Sequence, residues 1–297
     1  MKRNDTAKYG LVIEGGGMKC AYSAGILDRF LDEKIRFSYV IGVSAGAANG
    51  ASFVAGQRDR NRRFYTTHIG EKGYFGLRSF IKTGDLFGLD YIYSDLTNTD
   101  GGDPLDYDRI MSSPTEYELV TTNARTGKAE YFSKQDLEKN NYQLIKASCC
   151  LPAACRPREY KGNFFYDGGL SDPIPAEHAL AKGCDKVVVI LSKPRDFVMQ
   201  PQKMRIFYHV ACRNFPRTVS MIEGRHISYM DHFRKIFELE KEGKAFVFAP
   251  SRHLPMGTYR MNADQNQALY DLGVSDFENR AEELRLFMEA DELSDRR

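Results

Sequence analysis

The sequence predicts a layered α/β fold with a largely parallel central sheet, followed by a mainly helical C-terminal region. Three observations carry the prediction. Apolar runs at 9–13, 37–43 and 186–191 suit buried central strands. Segments with helical spacing separate them, as in Ala21, Ala24, Leu27 and Leu31. Beyond Pro194 the pattern changes, and Met230, Phe233 and Phe237 share one helix face. The division this suggests is 8–195 for the α/β unit and 200–297 for the helical region.

The first strand runs straight into Glu14-Gly15-Gly16-Gly17-Met18-Lys19, and a helix is predicted over about 19–34. A strand, a glycine turn and a helix N-terminus form an anion cradle, because free backbone N–H groups and the helix dipole point at the turn. A dinucleotide fingerprint would need a third glycine where Cys20 stands, and a phosphate P-loop would need a Gly-Lys-Ser/Thr ending. An oxyanion hole needs only exposed N–H groups beside a nucleophile. A merely tight turn does not need three successive glycines.

The second strand ends in Gly42-Val43-Ser44-Ala45-Gly46, which fits the G-x-S-x-G nucleophile elbow. Such a serine sits in a strained strand-to-helix turn, where bulk at the flanking positions would clash. Alone the pattern is weak, since Gly and Ser are common residues. The basic run Gln57–Arg63 reads as a solvated helix end. Residues 64–115 mix Tyr and Phe with turn formers, and their aromatics either line a cleft or pack over the sheet. Strands at 117–122 and 129–132 are joined by a hairpin loop. A helix ends near Cys150, stopped by Pro152. An aromatic strand then ends in Asp167-Gly168-Gly169, with a helix over 176–182 behind it. Helix is predicted over most of 204–242 and a strand over 245–250. Ser275-Asp276-Phe277-Glu278 reads as a capping box opening a helix that turns Phe277, Ala281, Leu284 and Met288 inward.

The bulk numbers bound the class. The chain has 297 residues, 42% hydrophobic and 28% charged, which suits a soluble globular protein. No apolar run approaches the roughly 18 residues of a membrane span. Met1–Lys8 carries charge, but the apolar Leu11-Val12-Ile13 that follows is too short for a signal's apolar region, so no secretory signal is expected. Cys20, Cys149, Cys150, Cys155, Cys184 and Cys212 form no framework, and free thiols in a cytoplasmic protein are expected. The group at Cys149, Cys150 and Cys155 lacks a second ligand pair at zinc spacing and reads as core or loop thiols. The net charge of +2 hides an asymmetry: residues 197–260 carry eleven Lys/Arg against five Asp/Glu, and 261–297 carry four against ten. Two solvated helical faces would explain this, and so would a basic surface facing anionic lipid or another acidic partner.

A serine hydroxyl needs a base to take its proton. The chain has six histidines. In the order Ser…Asp…His of α/β-hydrolases, His253 is the candidate, on the loop after 245–249, but it lies beyond the α/β pattern. The alternative is a dyad with Asp167 as base. A carboxylate can serve if burial raises its pKa and it lies within reach of the serine. Gly168 and Gly169 would let the backbone come close.

Gly15-Gly16-Gly17-Met18-Lys19, Gly42-Val43-Ser44-Ala45-Gly46 and Asp167-Gly168-Gly169 together resemble the patatin-like phospholipases, in the same order and at similar spacing. The match covers about 8–195, and the longer chain is similar to bacterial members with a helical C-terminal extension. The resemblance implies a three-layer α/β/α fold and hydrolysis of lipid acyl esters by a Ser–Asp dyad. It implies Ser44 as nucleophile, Asp167 as proton acceptor, and the turn Gly15, Gly16, Gly17, Met18, Lys19 as oxyanion hole, chiefly through the N–H groups of Gly16, Gly17 and Met18. Gly42 and Gly46 would shape the elbow, and Gly168 and Gly169 would support the dyad. Lys19 fills the family's basic position, bracing the turn or favouring an anionic head group. The family usually has glycine next, where this chain has Cys20. The implied chemistry uses no metal or cofactor. The implied partners are a phospholipid or lysophospholipid and, transiently, a membrane surface, with no nucleic acid; the implied setting is cytoplasmic, peripheral at the membrane. Two rival readings stay open: a lipid- or acyl-binding protein without turnover, and a nucleotide-binding protein using the 14–19 turn.

Overall fold

The computed structural model describes residues 7–76, 84–203, 205–254 and 262–294. Residues 1–6, on which most of the signal-peptide reading falls, lie outside them. The strands are β1 (Tyr9–Ile13), β2 (Tyr39–Val43), β3 (Glu116–Asn123), β4 (Ala129–Ser133), β5 (Arg158–Tyr160), β6 (Asn163–Asp167), β7 (Lys186–Ile190) and β8 (Ala245–Phe248). The α-helices are α1 (Ala21–Asp32), α2 (Ala45–Val54), α3 (Arg60–Thr66), α4 (Tyr107–Ser112), α5 (Gln143–Ser148), α6 (Ala176–Ala181), α7 (Arg205–Ala211), α8 (Pro216–Lys241) and α9 (Ala263–Ser294).

The apolar strands are apolar because both faces of the sheet are covered. Leu11, Ile13, Val40, Val188 and Phe248 point to one face, under α1, α2 and α9. Val12, Ile41, Val43, Val189 and Val247 point to the other, under α6 and α8. The result is three layers, helices on a mostly parallel eight-stranded sheet. β1 lies between β2 and β7, β3 follows β2, and β8 follows β7, all parallel.

The register around β3 decides where the site forms. Residues 118–120 of β3 pair with β2 and with β4, so those two strands occupy opposite edges. Thr121 and Thr122 pair with β4 and with β6, so β6 shares the edge of β2. β2 and β6 therefore meet end to end along β3. Val43 pairs with Val120, and Asp167 pairs with the next residue, Thr121.

Some expectations shift. The first helix begins with a 3₁₀ turn, Gly17–Cys20, and α1 stops at Asp32 because Lys34 adopts φ 57°. Ser275 does not open a helix: it lies inside α9, where its Oγ accepts from Asn279 Nδ2 at 3.5 Å. The residues read as inward do face the core, Phe277 and Leu284 each 1% exposed. α9 crosses α1 closely, since a Cβ at Gly25 would stand 2.2 Å from the carbonyl oxygen of Tyr270. All six cysteines are buried and free. Among the described residues no helix is long and apolar enough to cross a membrane.

Candidate active site

Ser44 joins β2 to α2 with φ 55° and ψ −131°. Such a conformation costs a non-glycine residue about 1–3 kcal/mol. Missing side chains make room for it. A Cβ at Gly42 would stand 2.5 Å from Ala47 Cα, and one at Gly46 would stand 2.5 Å from the Ile13 carbonyl oxygen. The Ser44 N–H donates to Ser148 Oγ at 2.9 Å, and that hydroxyl donates to the Val120 carbonyl at 2.7 Å. Ser148, at the end of α5, thereby pins the elbow where the β2–β3 ladder stops.

Asp167 ends β6 beside this elbow. Its N–H donates to the Cys150 carbonyl at 2.8 Å. Its Oδ1 accepts the Gly169 N–H at 2.8 Å, whereas Oδ2 is buried with no hydrogen-bond partner among the described residues. Burial pushes the carboxyl above its ordinary pKa, opposed by the Ser44 hydroxyl, the Gly169 N–H and the charge of Arg225. Ser44 is thus near enough to favour the carboxylate, yet no contact to Oδ2 meets hydrogen-bond geometry. Catalytic contacts commonly tighten only when a substrate is in place. Gly168 is required by close approach, since its Cβ would lie 2.4 Å from the Val120 carbonyl oxygen. A Cβ at Gly169 would stand 3.0 Å from Asp167 Oδ1 and 3.6 Å from Arg225 Nη2.

The glycine turn packs directly on the elbow. A Cβ at Gly15 would stand 2.8 Å from Ser44 Cβ, and one at Gly16 would stand 2.5 Å from Ser192 Oγ. Gly17 needs its freedom, at φ 57°. The Lys19 N–H closes the turn on the Gly16 carbonyl at 3.2 Å. Among the described residues, the N–H groups of Gly16, Gly17 and Met18 donate to no other group. The Lys19 ammonium lies 5.7 Å from the centre of the Phe197 ring, and burial, then Lys193, lowers its pKa. Cys20 has φ −72°, ordinary helical backbone, so no glycine is needed there.

A cavity opens beside Ser44, with Met18, Phe64, Leu89, Ile92, Tyr93 and Cys149 in its walls. Aromatics of the 64–115 stretch thus line it. His253 is elsewhere, paired with the exposed Asp196 at 2.8 Å.

Several residues at this corner carry no local signal. Glu14 is 1% exposed. Its Oε2 accepts the Ser192 N–H at 2.6 Å and the Ser192 hydroxyl at 3.1 Å. Its Oε1 accepts the Tyr229 hydroxyl at 2.7 Å and the Lys193 ammonium. Tyr229 and Arg225 sit one turn apart on α8, the first at the glycine turn, the second at Asp167. A carboxylate ending an apolar strand was the only clue to Glu14. Arg225, Tyr229 and Lys193 had none.

Two family models match separate stretches of the chain. A family model described as patatin-like phospholipase matches residues 11–180, and a domain family of unknown function matches residues 215–289. An uncharacterized protein of Escherichia coli K12, YjjU, is 27% identical over 227 residues, covering 74% of this chain and 62% of its own length. An uncharacterized NTE family protein of Mycobacterium bovis, Mb1092c, is 20% identical over 190 residues, covering 64% of this chain and 50% of its own length. This chain therefore spans about half to three fifths of these relatives. The crystal structure of VipD from Legionella pneumophila is similar at 13% identity and a TM-score of 0.43, covering 90% of this chain and 67% of that one.

Proposed function

Because the chain belongs to the patatin-like phospholipase family, we propose that it is a carboxylic ester hydrolase that removes fatty acyl groups from phospholipids or lysophospholipids through a Ser44–Asp167 dyad. The observation that carries the reading is the meeting of β2 and β6 along one edge of β3, which sets the two residues side by side. In the proposed reaction Ser44 Oγ attacks the ester carbonyl, and its proton passes to Oδ2 of Asp167. The oxyanion takes the N–H groups of Gly16, Gly17 and Met18, each such donor typically worth about 3 kcal/mol of barrier. Collapse of the tetrahedral intermediate expels the alcohol, which takes the proton from Asp167. Asp167 then deprotonates a water that attacks the acyl-serine, releasing the fatty acid and restoring Ser44.

The apolar walls beside Ser44 support an acyl chain as occupant. Residues 8–195 would supply the hydrolase machinery and 200–297 would brace it through Tyr229 and Arg225. The proposed setting is the cytoplasm, in keeping with free buried thiols, with transient contact at a membrane surface. The test is fluorophosphonate labelling together with turnover of p-nitrophenyl esters. Wild type is expected to label and turn over, and Ser44→Ala to lose labelling and at least about a thousandfold in activity. Labelling that persists in Ser44→Ala would overturn the mechanism, and lipid binding without turnover would favour the non-catalytic rival.

A further inference from the structure

Helix α7 has two unlike sides. On the inner side, Tyr208, together with the fully buried Cys212 just past the helix, joins an apolar cluster with Phe87, Leu89, Cys149 and Leu151. Those four residues also line the Ser44 cavity. On the outer side, Ile206 is 82% exposed, Phe207 48% and Val210 66%. His209 of α7 meets Glu223 of α8 at 3.1 Å. Ile227, 60% exposed, lies one turn past Glu223 on α8. Single exposed apolar residues need no explanation, but a contiguous group does.

The charge of the stretch that carries this face is basic, and the acidic Glu223 at its border is paired with His209. Between Asp196 and Glu223 the sequence holds no acidic residue, but it holds Lys203, Arg205, Arg213 and Arg217. Exposed apolar side chains flanked along the chain by cations suit the boundary of an anionic bilayer, where acyl tails and phosphates lie side by side. The combination does not suit a symmetric contact between copies, because a two-fold interface would bring this basic stretch near its own image.

We propose that the outer face of α7 docks this protein onto anionic lipid membranes, with Ile206, Phe207 and Val210 entering the head-group boundary. The proposal rests on the lipid-ester reading for its purpose, since docking places the bilayer one helix away from the cavity beside Ser44. The docking event itself needs no turnover, so it is testable without it.

The full chain carrying Ser44→Ala is mixed with vesicles of phosphatidylcholine alone, or with about one third phosphatidylglycerol, and sedimented. It is expected to bind the anionic vesicles about tenfold or more tightly than the neutral ones, and less tightly at high salt. Ile206→Glu with Val210→Glu is expected to weaken anionic binding at least about tenfold. In the chain that retains Ser44, the same pair is expected to keep hydrolysis of a water-soluble short-chain ester within about twofold, and to keep the circular dichroism spectrum. Lys203→Glu with Arg213→Glu is expected to remove the preference for anionic over neutral vesicles. No binding to anionic vesicles, or equal binding by the Ile206→Glu/Val210→Glu chain, overturns the proposal. A dimer that this pair dissociates also overturns it, by assigning the face to a second copy. Failure of wild type to hydrolyse the soluble ester would count against the hydrolase reading alone, because the vesicle result stands apart from it.

Discussion

Two buried carboxylates flank the Ser44 elbow, and the fold treats them in opposite ways. Glu14 is 1% exposed and Asp167 2%. Glu14 is surrounded by the Ser192 N–H and hydroxyl, the Tyr229 hydroxyl and the Lys193 ammonium. Asp167 has the Gly169 N–H on one oxygen and, among the described residues, nothing bonded to the other. An ionised carboxylate buried without partners costs several kcal/mol, so the contrast is not neutral. Saturation with donors makes Glu14 an anchor for the glycine turn. Under-satisfaction keeps Asp167 able to accept a proton. Equal burial therefore says nothing about role; the number of donors does.

The sharpest way to break this comparison is Asp167→Asn. Under the proposed mechanism turnover falls about a thousandfold or more, while the fold gains. The sign follows from linkage. Burial raises the folded pKa of Asp167, so its contribution to stability is full below the unfolded carboxylate value and is lost as pH rises through the folded one. Near neutral pH an uncharged amide avoids that loss, and the variant should be more stable by about 1 kcal/mol. Ester turnover and urea unfolding on the same sample check both halves. An inactive variant that is also clearly less stable would show that Asp167, like Glu14, is structural.

Glu14→Ala should do the reverse. It leaves the Lys193 ammonium buried without its carboxylate, and removing one partner of a buried pair typically costs about 3–5 kcal/mol. The loss should be plain in urea unfolding, with activity falling only as far as the glycine turn loosens. Tyr229→Phe removes a single donor and should cost about 1–2 kcal/mol. If Glu14→Ala unfolds like wild type, the anchor reading fails.

How much of this corner could be read from sequence depends on the distance over which each contact acts. The strands at 9–13, 39–43 and 186–190 were visible because both faces are buried, which leaves continuous apolar runs. The three glycine-marked stretches were visible because close approach excludes side chains locally, as at Gly42, Gly46 and Gly168. The partners of Glu14 were not visible, because Tyr229 lies 215 residues away on a helix with no motif of its own. Ser275 misled for the opposite reason. A Ser-x-x-Glu pattern is also compatible with a helix interior, and here the acidic residue beside it, Asp276, is held by Tyr22 at 2.9 Å and the Ser251 N–H at 2.9 Å. Local chemistry marked what is local; the sheet register, which joins Asp167 to Ser44, had to be seen.

Arg225 offers the smallest effect and the finest discrimination. Its guanidinium approaches Gly169 and its charge eases ionisation of Asp167. Arg225→Gln should therefore raise the Asp167 pKa further above its ordinary value. Since the base must be ionised to work, the acid limb of the kcat/KM profile should move to higher pH, with the plateau held within about threefold. Arg225→Lys, which keeps the charge, should hold the limb near its wild-type position. A lowered plateau with an unmoved limb would instead mean that Arg225 packs against the Gly169 turn without tuning the carboxylate. In that case the poise of Asp167 would come from burial alone. A shifted limb rescued by lysine would place its control on α8, the same helix that donates to Glu14 through Tyr229 one turn later, so that a single helix helps anchor one carboxylate and tunes the other.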